Sequence, residues 1–231
     1  MNCPGVMVSV IMPVYNGEQF IETAVDNVMA QKYPSLELII VNDGSTDGTE
    51  ERIRHLSGPI RYIKQENEGP ACARNRGIES SYGPLIAFLD VDDIWPANTL
   101  NVLVQAMLCN PEVEITRGRA QHMQYNAQRG AYDFVGDSKE TFPYSIPSAL
   151  YRRSIFDKVG LFDASLRFGE DTDWFIRAAE LNVNIKQIET VTLLVRRHGE
   201  NMTSGKNLVE LNTLRVVKKI LDRARKRGGG V

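Results

Sequence analysis

At 231 residues, 42% hydrophobic and 24% charged, the chain has the composition of a globular protein able to bury a substantial core. A formal net charge of -2 gives no reason to expect nucleic acid as a partner. Three widely spaced cysteines, Cys3, Cys72 and Cys109, fit neither a disulfide framework nor a CxxC metal site and point to a reducing compartment.

Short branched apolar runs at Met7–Met12 and Leu36–Val41 read as strands. Between them Phe20, Ile21, Ala24, Val25, Val28 and Met29 recur at helical spacing. A helix is expected after Ser45-Thr46-Asp47, then a strand at Ile60–Ile63, a helix over Ala71–Ser80, a strand at Leu85–Leu89 and a helix over Asn98–Asn110. Val113–Tyr125 reads as extended and Asn126–Pro147 as irregular. Helices are expected at Ser154–Val159 and Thr172–Leu181, strands at Ile185–Ile188 and Val191–Val195, and a terminal helix over Leu208–Arg227. No apolar run approaches the roughly 18 residues that span a bilayer. The N-terminus lacks a basic region and is interrupted by Pro13, so it reads as a first strand and not a signal peptide, with a cytoplasmic location expected.

Strand and helix in alternation imply βαβ units, a Rossmann-like, mainly parallel sheet with helices on both faces, and a single α/β domain. Ligands of such sheets bind outside the carboxyl ends of the strands. Those ends carry Pro13-Val14-Tyr15-Asn16-Gly17, Asn42-Asp43-Gly44-Ser45 and Asp90-Val91-Asp92-Asp93. Carboxylates at i and i+2 can project to one point and hold a hard divalent cation with phosphate oxygens. The plainer reading of a bare DxDD is a solvated strand end with Asp93 as a helix cap.

Five stretches in one order alter that balance: PVYNG, VNDGSTDGT, QENEGPACARNRGI, FLDVDDIW and GEDTDWFIRAAE. Together they resemble the family 2 glycosyltransferases of the GT-A fold, from about Val8 to Thr203. The resemblance implies inverting transfer of a sugar from a nucleotide-sugar donor, UDP-linked by expectation, to a hydroxyl of a glycan or lipid-linked acceptor, assisted by Mg²⁺ or Mn²⁺. It divides residues 1–205 into a donor half to about 110 and an acceptor half beyond it, with 206–231 as a basic helix and tail. By the same resemblance Pro13, Tyr15, Asn16, Asp43 and Arg74 lie at the nucleoside, Asp90 at the ribose, and Asp92 on the metal. Asp171 matches the base that takes the acceptor's proton, and Glu170 binds or orients the acceptor. His198, in Arg196-Arg197-His198, matches a late segment that can supply an imidazole to the metal. Asn42 departs from the pattern, the family often carrying Asp there, which leaves base identity open. Cell-surface polysaccharide or lipopolysaccharide synthesis is the implied setting.

Each residue also has a plain structural reading. Ser45 and Asp47 suit helix capping, Gly69 and Gly77 close packing, Asp171 and Asp173 the first turn of a helix, and Trp174 packing. Rival enzyme classes lack their loops: the first turn holds PVYNGEQF where a dinucleotide binder needs G-x-G-x-x-G, and GxxxxGK[ST] is absent. The remaining alternative is an inactive nucleotide-sugar-binding module. In the terminal helix Leu211, Leu214, Val217, Leu221 and Ala224 form an apolar stripe expected to pack on the domain. Arg215, Lys218, Lys219, Arg223, Arg225, Lys226 and Arg227 form the rest, either a solvated face or one that leans on anionic membrane at the inner face.

Overall fold

The computed structural model describes residues 5–136, 145–199, 201–202 and 213–228. Four strands, β1 (Val8–Val14), β2 (Leu36–Asp43), β3 (Ile60–Gln65) and β4 (Leu85–Phe88), form a parallel half-sheet in the order β3-β2-β1-β4. The helices between them are α1 (Ile21–Met29), α2 (Thr49–Arg54) and α3 (Pro70–Ser80). After α4 (Thr99–Leu108) come β5 (Ile115–Asn126), β6 (Ala131–Val135), β7 (Ala149–Arg152), α5 (Ser154–Val159), α6 (Glu170–Glu180), β8 (Ile185–Arg197) and α7 (Thr213–Gly228). β7 enters the sheet antiparallel between β4 and β5, β6 pairs antiparallel with the far half of β5, and β8 runs parallel to β5. A mixed α/β domain with a mostly parallel central sheet results.

Every residue of β1 is buried, as expected of a strand covered on both faces. One face packs Val10, Met12, Leu38 and Ile40 against Val25 and Val28 of α1 and Leu103 and Met107 of α4. The other packs Ile11, Ile86 and Phe88 against Ile78 of α3, Phe156 of α5 and Trp174 and Phe175 of α6. This two-sided core fixes where the strand ends emerge.

Differences from expectation lie in the second half. β6 and β7 occupy or adjoin the stretch read as irregular. β7 has only four residues and no alternation, and its place is set by pairing with β4 and β5. The two strands expected at 185–195 are one strand, β8, with register shifts against Arg117–Ala120. Gly69 serves conformation and not close packing: its φ is +92°, and α3 begins at Pro70 immediately after it.

The largest correction concerns α7. Its expected core stripe faces outward: Leu214, Val217 and Leu221 are 70%, 45% and 52% exposed, and Ala224 is exposed. The buried apolar contact is Val216, and Arg223, expected on the basic outer face, pairs with Asp173 and Glu180. Strong local ion pairs on α6 override the apolar pattern in setting the helix rotation. Leu211 and the expected first turn from Leu208 lie outside the described residues.

Gly77 does pack closely, since a Cβ there would lie 2.3 Å from Ile11 Cγ2 in β1. Helix propensity favours alanine over glycine by about 1 kcal/mol, whereas overpacking costs about 1–3 kcal/mol. Gly77→Ala is therefore expected to lower stability in urea unfolding, and a rise would show that β1 and α3 are not in tight contact.

Candidate active site

The carboxyl ends of β1, β2 and β4 open on one edge, and β8 with the turn after it closes over them. Pro13 itself is a buried residue of β1 opposite Val41, so it shapes the strand end, while Tyr15 and Asn16 are exposed beyond it. Asn16 takes a left-handed backbone (φ +51°), and its Oδ1 accepts the Thr46 N–H at 2.8 Å while its own N–H donates to Ser45 Oγ. Ser45 thus joins two loops and does not cap α2. Asp47 is the residue that accepts the Thr49 N–H at the start of α2. Asn42 is buried, accepting the Ser45 N–H and donating to the Tyr62 hydroxyl.

Asp43 is buried at the end of β2. It accepts bonds from Gln65 Nε2 and the Glu68 N–H on Oδ1, and from the Gly69 N–H on Oδ2. It thereby fixes the approach to α3, with one acceptor position remaining on Oδ2.

Arg74 on α3 is buried between two acids. Its NH2 donates to Asp90 Oδ1 at 2.8 Å and its NH1 to Glu170 Oε1 at 2.7 Å. Burial works against the guanidinium charge, but Asp90 and Glu170 overcome it and hold Arg74 protonated above its ordinary value. Glu170, itself buried, stands at the start of α6 with Oε1 on Arg74. Asp171, next to it, is half-buried. Its Oδ1 accepts the Thr172 N–H at 2.6 Å, and burial raises its carboxyl above the usual range. A carboxylate so raised is a stronger base than an ordinary Asp. Asp173 is a structural anchor, buried and paired with Arg177 on Oδ2 and Arg223 on Oδ1.

The acid turn after β4 closes through Asp93 N–H donating to the Asp90 carbonyl. Asp93 is not a cap: it is buried, and its Oδ1 accepts the Arg196 N–H from β8. Arg196 clasps the turn, its Nε donating to the Asp92 carbonyl and its NH2 to that of Val91, with its guanidinium over the Phe20 ring at 4.9 Å. Asp92 Oδ2 lies 3.3 Å from His198 Nε2 and accepts a 2.9 Å bond from Asn201 Nδ2. Asn201 also donates to the Arg196 carbonyl and accepts the His198 N–H, tying the turn after β8 to the acid turn.

The donor set fits a divalent cation only with help. A carboxylate oxygen and an imidazole nitrogen 3.3 Å apart suit two ligands on one ion with bonds of about 2.1 Å. Among the described residues no three His, Cys, Asp or Glu side chains form a ligand group, so oxygen atoms of a bound diphosphate would have to complete the set.

Arg196 and Asn201 brace the candidate site, and sequence reasoning assigned neither a role of its own. Both lie in the segment around His198, but only the histidine carries metal chemistry on its own. Their roles come from pairings 105 and 109 positions away.

Comparison with known proteins follows the same outline. A family model described as "Glycosyl transferase family 2" matches residues 9–160. The chain belongs to glycosyltransferase family 2. An uncharacterized glycosyltransferase of Rickettsia bellii is 32% identical over 211 residues, covering 85% of this chain and 29% of that protein. Across five Rickettsia relatives, this family 2 chain spans 29% to 58% of their length. S. aureus TarS in complex with UDP-GlcNAc superposes with a TM-score of 0.70 at 21% identity, covering 87% of this chain and 62% of that one. The Pyrobaculum calidifontis mannosyltransferase PcManGT, in complex with GDP-Man and Mn²⁺, gives 0.67 at 22% identity, covering 84% and 58%. Both share the GT-A fold of this glycosyltransferase.

Burial first, and neighbouring acids second, raise the Asp92 and Asp93 carboxyls. The folded chain then binds more protons than the unfolded one between the ordinary carboxylate range, about 3.9–4.3, and the raised values. Their contribution to stability is full below that range and is lost as pH rises through the raised values. Asp92→Asn keeps an acceptor for Asn201 and removes one of the crowded charges. In chelator-treated protein its Tm is expected to match wild type near pH 4 and exceed it increasingly towards pH 7. A lower Tm at pH 7 would make the Asp92 charge a stabilising one.

Proposed function

We propose that this glycosyltransferase moves a sugar from a nucleoside diphosphate sugar to an acceptor hydroxyl by direct displacement with inversion. The observation that carries this is the Arg74 bridge, which sets the Asp90–Asp92 strand end against the first turn of α6, where Asp171 stands. The nucleotide-sugars named with TarS and PcManGT support the donor class, one carrying uracil and the other guanine. A UDP-sugar remains the preferred donor. Tyr15, Asn16 and Asp43 are proposed to receive the base, and Asp90 the ribose.

In the reaction, the acceptor oxygen forms a bond to the anomeric carbon as the bond to the diphosphate oxygen breaks. Asp171 takes the hydroxyl proton on the face opposite the leaving group. Glu170, held by Arg74, keeps that helix end in place. Asp92 and His198 are the residues that would hold Mg²⁺ or Mn²⁺. A bound cation would offset the charge of the departing nucleoside diphosphate. An acceptor in cell-surface polysaccharide or lipopolysaccharide assembly is the proposed setting.

Asp171→Asn tests the role of the base, because an amide cannot take the proton. Turnover is expected to fall by about a hundredfold or more, with donor affinity within about twofold of wild type. Collapse of donor binding at an unchanged rate per bound donor would make Asp171 a binding residue. Asp92→Asn is expected to abolish the strengthening of nucleoside diphosphate binding by Mn²⁺, read by calorimetry. A wild-type response to Mn²⁺ would remove Asp92 from the metal site.

A further inference from the structure

Helix α7 is inside out for a helix on a water-soluble domain, where apolar side chains normally face inward. Its inner face is held by polar contacts. Lys219 pairs with Asp163 and donates to Ser165 Oγ, while Arg223 pairs with Asp173 Oδ1 at 2.8 Å and Glu180 Oε2 at 3.2 Å. Val216 is the buried apolar contact. Leu214, Val217 and Leu221, spaced to lie along one line of the helix, are exposed on the other side. Beside that line Lys218 and Arg225 project, then Arg215 and Lys226, all exposed. Asp222 is the acid on that flank, 3.9 Å from Arg225. Rotating the helix to bury the leucines would break the Arg223 pairs with Asp173 and Glu180 and take the donor from Oδ1 of the buried Asp173, which would keep Arg177 on Oδ2. The outward stripe is therefore fixed by the fold.

We propose that this face of α7 docks on an anionic lipid surface. A stripe of apolar side chains rimmed on one flank by cations suits the boundary of headgroups and acyl chains. Four cations against the one acid Asp222 give that flank a net positive charge that complements a diffuse anionic surface. A protein interface is a poorer match, because stable ones bury about 800 Å² per partner. A sixteen-residue helix about 24 Å long and 10 Å wide presents on the order of 240 Å². The face would also set the enzyme's orientation. Arg223 grips Asp173, two positions after Asp171, so a docked α7 holds the base-bearing helix at the lipid surface. Resting on the function proposed above, this selects a lipid-linked hydroxyl acceptor over a freely diffusing one.

Co-sedimentation of the full chain with phosphatidylcholine vesicles, with and without about a third phosphatidylglycerol, tests the surface without reference to catalysis. Binding to the anionic vesicles is expected, weakened but not abolished between about 0.1 and 0.5 M NaCl, where screening shortens to a few Å. The triple variant Leu214→Ser, Val217→Ser, Leu221→Ser is expected to lose at least tenfold in partitioning. Changing Arg215, Lys218, Arg225 and Lys226 to Gln is expected to erase the preference for anionic lipid, at about fivefold per cation near the surface. All seven side chains are exposed, so thermal unfolding and turnover on a water-soluble acceptor should stay at wild-type levels in both variants. Failure of the proposed reaction would leave the vesicle results standing. Equal binding by wild type and the triple variant, or none by either, would overturn the proposal. So would a dimer in sedimentation velocity that the serine variant dissolves, which would assign the stripe to a second copy of the chain.

Discussion

One buried guanidinium joins the two halves of the candidate site. Arg74 reaches Asp90 at the end of the parallel half-sheet and Glu170 at the head of α6, 96 positions further along the chain. Buried ion pairs return little net stability, because desolvation offsets their attraction. What such a group supplies is geometry: two acids cannot drift from a shared planar donor without leaving a charge unpaired. The distance between the donor end and the proposed base is therefore set by a side chain that takes no part in the chemistry itself.

A second clasp holds the acid turn. Arg196 from β8 binds the backbone of Val91 and Asp92, and Asn201 ties Asp92 to the turn bearing His198. The carboxylates of Asp92 and Asp93 are held against their own solvation, with burial raising both. Backbone donors and one imidazole only partly offset this. Under the proposed function, a bound cation would relieve that charge stress. Such stress is a common form of trade between stability and function.

Much of this was legible in the sequence. Short branched apolar runs located β1, β2 and β4 because those strands are largely buried on both faces, and the 3.6 period located α1 and α4 because each buries one face. The strand ends then placed Asp43, Asp90 and Asp92 on one edge. What stayed hidden depends on partners distant in the chain. The resemblance set Arg74 at the nucleoside and Glu170 at the acceptor, and nothing in the sequence pairs the two across 96 positions. Asp93 reads as a cap until Arg196 donates to it. The stripe on α7 reads as core because periodicity gives a face and no direction, and the ion pairs of Lys219 and Arg223 supplied the direction. β7 was missed because four residues carry no period of their own.

The central claim is that Arg74 sets the reacting geometry through its bridge. The most direct test is the single-turnover rate of the double variant Arg74→Met, Glu170→Gln, which removes the cation together with its buried partner and leaves only the half-buried Asp90 to be compensated by solvent. The account predicts a folded protein whose rate per bound donor falls by about a hundredfold, the scale expected from misplacing reacting groups by about 1 Å. A wild-type rate per bound donor in that variant would contradict it.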